Sequence, residues 1–280
     1  MGDGNGGGDF ATRMKLAGYD QLIFYGRSPK PVYLWIDNDR VELRDAAHLW
    51  GKTNRETNKL LWKELGDREV RVLSIGPAGE NLVRLAKVFT NITRSGGKGG
   101  MGAVMGSKNL KAVAVRGTGS IKIARPAEFL KLNKRVYDRL MASPATRGTM
   151  ETGSLRLMRT GKYGNLTTRN AQSGWFEGWE KVNAEAFHSH PSIKNKHKGC
   201  SACPVSCDHY YQVTEGLYAC YGESNEYGTT YPLSSRCGVD NLPAVLKMHS
   251  MCDQLGLDTH STGATISFAM HCWQEGLLTA

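Results

Sequence analysis

The sequence predicts an α+β protein, with a β-rich N-terminal domain over residues 1–120 and a mainly helical domain over residues 121–280. Two patterns carry this. Up to about residue 120, apolar residues come in short β-branched and aromatic runs broken by glycine and proline. Beyond it they recur at helical spacing in residues 126–141, 240–255 and 261–275. The change of texture between residues 115 and 124 places the boundary.

Taken in order, residues 22–26 and 32–36 read as strands separated by the turn-forming set 26–31, and Asp37, Asn38 and Asp39 turn the chain into a third strand at 40–43, a β meander. Residues 53–65 read as a helix. Thr53 is its N-cap, Glu56 completes a capping box, and Leu60, Leu61 and Leu65 give the apolar spacing. Residues 70–75 form a strand that leads to a Gly-rich stretch at 94–111, and residues 110–117 alternate as a strand again. The helix at 126–141 opens on Pro126. Residues 148–190 read as an irregular loop anchored by Trp175, Phe176 and Trp179. The two closing helices end at Gly256 and Gly276, each placed where a left-handed residue is favoured.

Composition narrows the classes. A hydrophobic fraction of 40% with 22% charged residues describes a globular chain, not a disordered one. No apolar run approaches the ~20 residues of a membrane span, and residues 1–8 lack the charged and apolar regions of a signal peptide, so a soluble, cytoplasmic protein is expected. The net charge of +10 could face nucleic acid, an anionic cofactor or an acidic protein. No nucleic-acid motif accompanies it, so nucleic acid is not expected as a partner.

Glycine density between Arg94 and Lys111 lets backbone N–H groups turn toward an oxyanion, and Arg94, Lys98, Lys108 and Lys111 add positive charge, so the stretch reads as a phosphate cradle. Gly97 to Gly102 fits G-x-G-x-x-G, yet only about nine residues separate it from the next strand, short of the dozen a parallel crossover needs. The order Gly106, Ser107, Lys108 also departs from the G-K-[ST] ending of a P-loop.

Cys200, Cys203 and Cys207 form C-x2-C-x3-C, with Pro204 keeping the segment tightly turned. Three thiolates at this spacing can face one iron–sulfur cluster. Zinc, with His197 or His209 as a further ligand, is the competing reading, although the second half of most zinc modules is absent. Cys220, Cys237, Cys252 and Cys272 are available as further ligands, and three of them sit in apolar patterns typical of buried cysteines. Finally, Asp253 and Asp258 flank a helix C-terminus, where the dipole disfavours carboxylates; taken alone this reads as a glycine C-cap with solvated acids, and the functional alternative is a cationic or donor-rich partner such as a pterin or guanine-like ring.

In this order, the Gly-rich stretch, the C-x2-C-x3-C cluster and the D-x-x-G-L-D turn at 253–258 resemble the aldehyde ferredoxin oxidoreductase family. Further matching blocks lie at 16–20 with 31–34, at 102–112, and at 258–259 with 261–263. Family members are longer, so the resemblance implies an internal piece. It implies a tungsten or molybdenum bis-pterin, a [4Fe-4S] cluster, and magnesium between the pterin phosphates. It assigns Asn5 and Ser95 to the magnesium-holding carbonyls, with Gly7 beside Asn5. Arg94, Gly97 and Lys98 become phosphate contacts, and Asp253, Leu257 and Asp258 the pterin-binding turn. Cys200, Cys203 and Cys207 become three cluster ligands, the fourth lying outside this chain.

The implied reaction oxidises an aldehyde to a carboxylate and passes electrons to ferredoxin or another small carrier, in a homodimer or a complex with electron-transfer subunits. One departure stands out. Aldehyde-oxidising members read Glu-Tyr-Glu after the cluster, whereas this chain has Glu226, Tyr227 and Gly228. Glu226 or Glu223 then serves as the acid–base group, or the chain belongs with the benzoyl-CoA-reducing relatives. The reading from another class is a zinc-binding module for nucleic acid or an acidic protein.

Overall fold

The structure, a computed structural model, describes residues 2–92 and 94–279. The chain divides into two compact units. The first comprises Met1–Arg147 with Gly199–Val205 and Gln254–Leu257, and the second Gly148–Lys198, Ser206–Asp253 and Asp258–Ala280.

The first unit is built on the strands β1 (Val32–Asp37), β2 (Arg40–Asp45), β3 (Arg71–Ser74), β4 (Val88–Thr90), β5 (Arg94–Gly96) and β6 (Leu110–Arg116), in the order β2-β1-β6-β3-β4-β5. Its helices are α1 (Phe10–Leu16), α2 (Asn54–Leu65), α3 (Pro77–Glu80), α4 (Met101–Ser107) and α5 (Pro126–Ala142). Strand β6 runs parallel to β1 and antiparallel to β3, and the chain from β3 through β4 to β5 is antiparallel throughout. The connection from β5 through α4 to β6 therefore joins antiparallel strands. That is not a dinucleotide-binding crossover.

Residues 22–26 differ from expectation and form no strand. Both edges of β1 are occupied, by β2 and β6, so the place beside the next strand in sequence, which a hairpin partner would take, is already filled. Leu22 and Phe24 instead pack onto the cluster of Phe10, Ile36 and Val115, while Ile23 and Tyr25 face solvent.

Helix α2 begins as the sequence predicts. The Thr53 side chain accepts the Glu56 N–H, and Glu56 accepts the Thr53 N–H at 2.8 Å. The Thr53 hydroxyl, followed by its backbone N–H, holds the Glu56 carboxyl below the usual carboxylate range. Thr53→Ala is expected to cost about 1 kcal/mol. A depressed carboxylate stabilises the fold fully above its ordinary pKa and loses that contribution as pH falls through the lowered value. Urea unfolding of both proteins at neutral and acid pH should therefore show a gap that narrows in acid.

A polar network on α2 fixes the turn that carries β5. Asn54 Nδ2 donates to Asn91 O at 3.1 Å and to Ile92 O at 2.7 Å, and Asn58 Nδ2 reaches Asn91 O at 3.0 Å. Lys111, fully buried in β6, donates to Lys52 O and Ile75 O, both at 2.8 Å, and to Glu80. Burial pushes its pKa down while Glu80 opposes the shift. The loop between β3 and α3 is thereby tied to the sheet.

Helix α6 (Pro144–Thr152) spans the sequence boundary between the units. The second unit holds the 3₁₀ segment Gly153–Tyr163, α7 (Ala184–Ser189), and the antiparallel strands β7 (Ile193–Lys198), β8 (Asp208–Val213) and β9 (Cys220–Glu223). The helices α8 (Tyr227–Leu233), α9 (Leu242–Leu255) and α10 (Thr259–Gln274) follow. Residues 148–190, expected as an irregular loop, instead carry the end of α6, the 3₁₀ segment and α7, and the small sheet is a further element the sequence reading lacked. Of the three aromatic anchors there, Phe176 is buried in the core, Trp179 packs against it, and Trp175 is half exposed. Gly256 and Gly276 are left-handed, with φ of 83° and 71°. Among the described residues no helix is long and apolar enough to cross a membrane.

Candidate cofactor site

In the first unit, several sequence-predicted residues gather around the edge strand β5. Gly6 bridges Gly96, and Gly97 N–H reaches Asn5 O at 3.4 Å, so the N-terminal glycine strip runs beside β5. Arg94 and Ser95 lie on β5 itself. Lys98, Gly99 and Gly100 are left-handed in succession, with φ of 49°, 74° and 71°. At Gly97 a built Cβ meets nothing within 4 Å, so there is space in front of this backbone. Open room beside lysine and arginine suits a phosphate.

Cys200 belongs to the same unit. Its Sγ accepts the Gly8 N–H at 3.3 Å, and Ser201 N–H returns a bond to Gly8 O at 3.2 Å. A Cβ on Gly7 would stand 3.2 Å from that sulfur and 3.9 Å from Arg94 Nη1. An amide donor to a cysteine sulfur is the kind of contact that tunes an iron–sulfur centre where that sulfur is a ligand. Cys203 is exposed and Cys207, in the second unit, is half-buried. Among the described residues no three His, Cys, Asp or Glu side chains are arranged to hold a metal ion.

The turn at 254–257 also lies in the first unit. Lys87 N–H donates to Gly256 O at 3.0 Å, and Ala86 forms a bridge with Leu257. Segment 86–87 equally supports α4, because Gly102 packs so closely that a Cβ there would lie 2.6 Å from Lys87 O. The helix following the Gly-rich loop and the acidic turn thus share one support.

Both aspartates are buried, not solvated. Asp253, in the last turn of α9, faces His249 Nε2 at 3.4 Å, and His249 Nδ1 lies 3.2 Å from the Tyr211 hydroxyl. Asp258 is the N-cap of α10 and accepts the Ser261 N–H at 2.9 Å. Neither role is visible in the D-x-x-G-L-D spacing. The signals were a His at i−4 and a Ser at i+3.

In the second unit Glu226 caps α8, and its Oε2 accepts the Ser154 hydroxyl at 3.1 Å. Gly228 is exposed, with nothing within 4 Å of a built Cβ. Glu223 accepts Lys198 Nζ at 2.5 Å through Oε1, while its buried Oε2 has no hydrogen-bond partner among the described residues. His209 lies opposite His197 across β8 and β7, and burial, followed by the charges of His197 and His188, pushes its pKa down to about 4.

Comparison with known proteins agrees across the chain. Residues 1–117 match the family described as "Aldehyde ferredoxin oxidoreductase, N-terminal domain", and residues 131–280 match "Aldehyde ferredoxin oxidoreductase, domains 2 & 3". The chain is 38% identical over 278 residues to the tungsten-containing aldehyde ferredoxin oxidoreductase of Thermococcus kodakarensis, covering 98% of this chain and 45% of that protein. It is 31% identical over 284 residues to the aliphatic sulfonate oxidoreductase, WOR-like subunit, of Pyrococcus furiosus, with 97% and 45% covered. A solved structure, the active-site complex of benzoyl coenzyme A reductase with 1,5-dienoyl-CoA, superimposes with a TM-score of 0.80 at 28% identity, covering 99% of this chain and 43% of that one. The chain spans a little under half the length of these relatives.

Fold and matches together define the class, an α+β chain built like the aldehyde ferredoxin oxidoreductases. The chain belongs to the aldehyde ferredoxin oxidoreductase family.

Proposed function

We propose that this chain forms part of a tungsten- or molybdenum-dependent enzyme that oxidises an aldehyde to a carboxylate and delivers the electrons to ferredoxin or another small carrier. The balance is RCHO + H2O → RCOO⁻ + 3 H⁺ + 2 e⁻. A bis-pterin metal centre would supply the two-electron chemistry when bound, and a [4Fe-4S] cluster the onward transfer of single electrons. What supports this reading is the convergence, within one unit, of the glycine strip, the β5 loop, Cys200 and the 254–257 turn.

The residues divide the work by chemistry. Arg94, Gly97 and Lys98 hold phosphate, and the Asn5 and Ser95 carbonyls, with Gly7 alongside, hold magnesium between the two phosphates. Asp253, Leu257 and Asp258 position a pterin ring, and Cys200, Cys203 and Cys207 ligate the cluster with a fourth group from outside this chain. Glu226 is assigned the proton acceptor's role. Engaging it breaks its cap on α8, which costs about 1 kcal/mol. Glu223 is the alternative, since its buried Oε2 lies without a donor. The protein is assigned to the cytoplasm, as a homodimer or in a complex with electron-transfer subunits.

A second reading, reduction of an aromatic acyl-CoA, is favoured by the absence of a carboxylate at Gly228 and by the benzoyl coenzyme A reductase match. Turnover of benzaldehyde with a viologen dye, set against turnover of benzoyl-CoA, decides between them. Aldehyde oxidation by the full-length enzyme supports the first reading. Benzoyl-CoA reduction without aldehyde oxidation replaces it. Within the first, Glu226→Gln should lower kcat more than Glu223→Gln, and the reverse order transfers the role.

A further inference from the structure

We propose that the second unit carries a binding site for a small organic carboxylate, in a cavity of about 210 Å³ between the turn Ser235–Cys237, the 169–172 loop and the last turns of α10. Its chemistry comes from two guanidinium groups, Arg169 and Arg236. The Nε–H of Arg236 is buried and has no acceptor among the described residues, and no carboxylate there pairs with its charge. A buried donor left unmet is destabilising, so its place beside a cavity points to an acceptor that the cavity holds. Arg169 is already engaged by Glu177, with Nη1 at 3.2 Å from Oε2.

The 169–172 loop is strained. Arg169, Asn170 and Ala171 are left-handed in succession, with φ of 42°, 54° and 66°, and none is glycine. Such conformations persist only where surrounding contacts over-determine them, and they gather at ligand sites. Here the contacts are plain. Arg169 N–H donates to Ser235 O and Asn170 N–H to Arg236 O, both at 3.0 Å. Asn170 Nδ2 meets His271 Nδ1 at 3.1 Å, and Gln172 Nε2 donates to Gln274 Oε1 at 3.0 Å. The strained loop therefore fixes the spacing of the two arginines and of the cavity wall on α10.

The ligand class follows from the lining. A guanidinium presents paired N–H groups that match the two oxygens of a carboxylate. Met270 and the buried Cys237 give an apolar wall, which suits an acid with a short hydrocarbon body. Glu177 and Glu275 oppose an anion, but their side chains are 61% and 64% exposed, so solvent screens them. The C-terminal end of α10 adds a small repulsion that a singly charged carboxylate tolerates better than a phosphate.

The test is a titration of the labelled protein with propionate, benzoate and inorganic phosphate at constant ionic strength, following the Arg236 Nε–H resonance and the melting temperature. The carboxylates should shift both saturably. In Arg236→Gln the carboxylate affinity should fall at least about tenfold, while Lys194→Gln, on the exposed face of β7, should behave as wild type. No shift with either carboxylate overturns the site, and an equal response to phosphate overturns the ligand class. If Arg236→Gln does not fold, the wild-type resonance decides alone. None of these outcomes depends on the redox reading.

Discussion

Gly97→Val is expected to leave the unfolding transition where it is and to lower bound pterin and metal at least about tenfold, the equivalent of 1.4 kcal/mol. The first half follows from geometry: a Cβ at Gly97 meets nothing within 4 Å, and the residue's φ lies outside the left-handed region, so the fold has no reason to object. The second half follows from the phosphate proposed to occupy that space. A branched side chain would stand where a phosphate must approach the backbone between Arg94 and Lys98. Thermal melting together with released pterin, quantified by fluorescence, checks both. A fall in melting temperature with occupancy retained would reverse the assignment, making Gly97 a structural residue.

Gly106→Ala should do the opposite. Its Cβ would lie 1.9 Å from Gly79 O and 2.7 Å from Gly79 C, backbone atoms that cannot swing aside. Helix α4 must then move away from α3, an overpacking change that costs typically 1–3 kcal/mol. Gly102, one turn earlier, is pressed against Lys87 O on the segment that also holds the 254–257 turn. Movement of α4 therefore disturbs the proposed phosphate and pterin contacts together, and cofactor occupancy should fall along with stability. Urea unfolding measures the first effect and metal content the second.

The contrast between these two glycines marks how far the sequence could be read. The strand that follows the Gly-rich stretch was recognisable from its alternation, and the capping box at Thr53 and the glycines after α9 and α10 announced those helices. Such features are local, set by a few adjacent residues. What could not be read depends on partners distant in the chain. Residues 22–26 have strand chemistry, but both sides of β1, the next strand in sequence, are taken by β2 and β6. Lys111 looks like the solvent face of an alternating strand, yet β6 is buried on both faces and its ammonium is met by Glu80 and two carbonyls. The Gly8 amide that reaches Cys200 is 192 positions away. The strained run at 169–171 carries no glycine to betray it.

The measurement that bears most directly on the cofactor assignment is metal and pterin analysis, with electron paramagnetic resonance, on the full-length protein purified without oxygen and reduced with dithionite. The account predicts iron with tungsten or molybdenum, released pterin, and an iron–sulfur signal that Cys200→Ala abolishes. Stoichiometric zinc, with neither iron nor pterin, would contradict it.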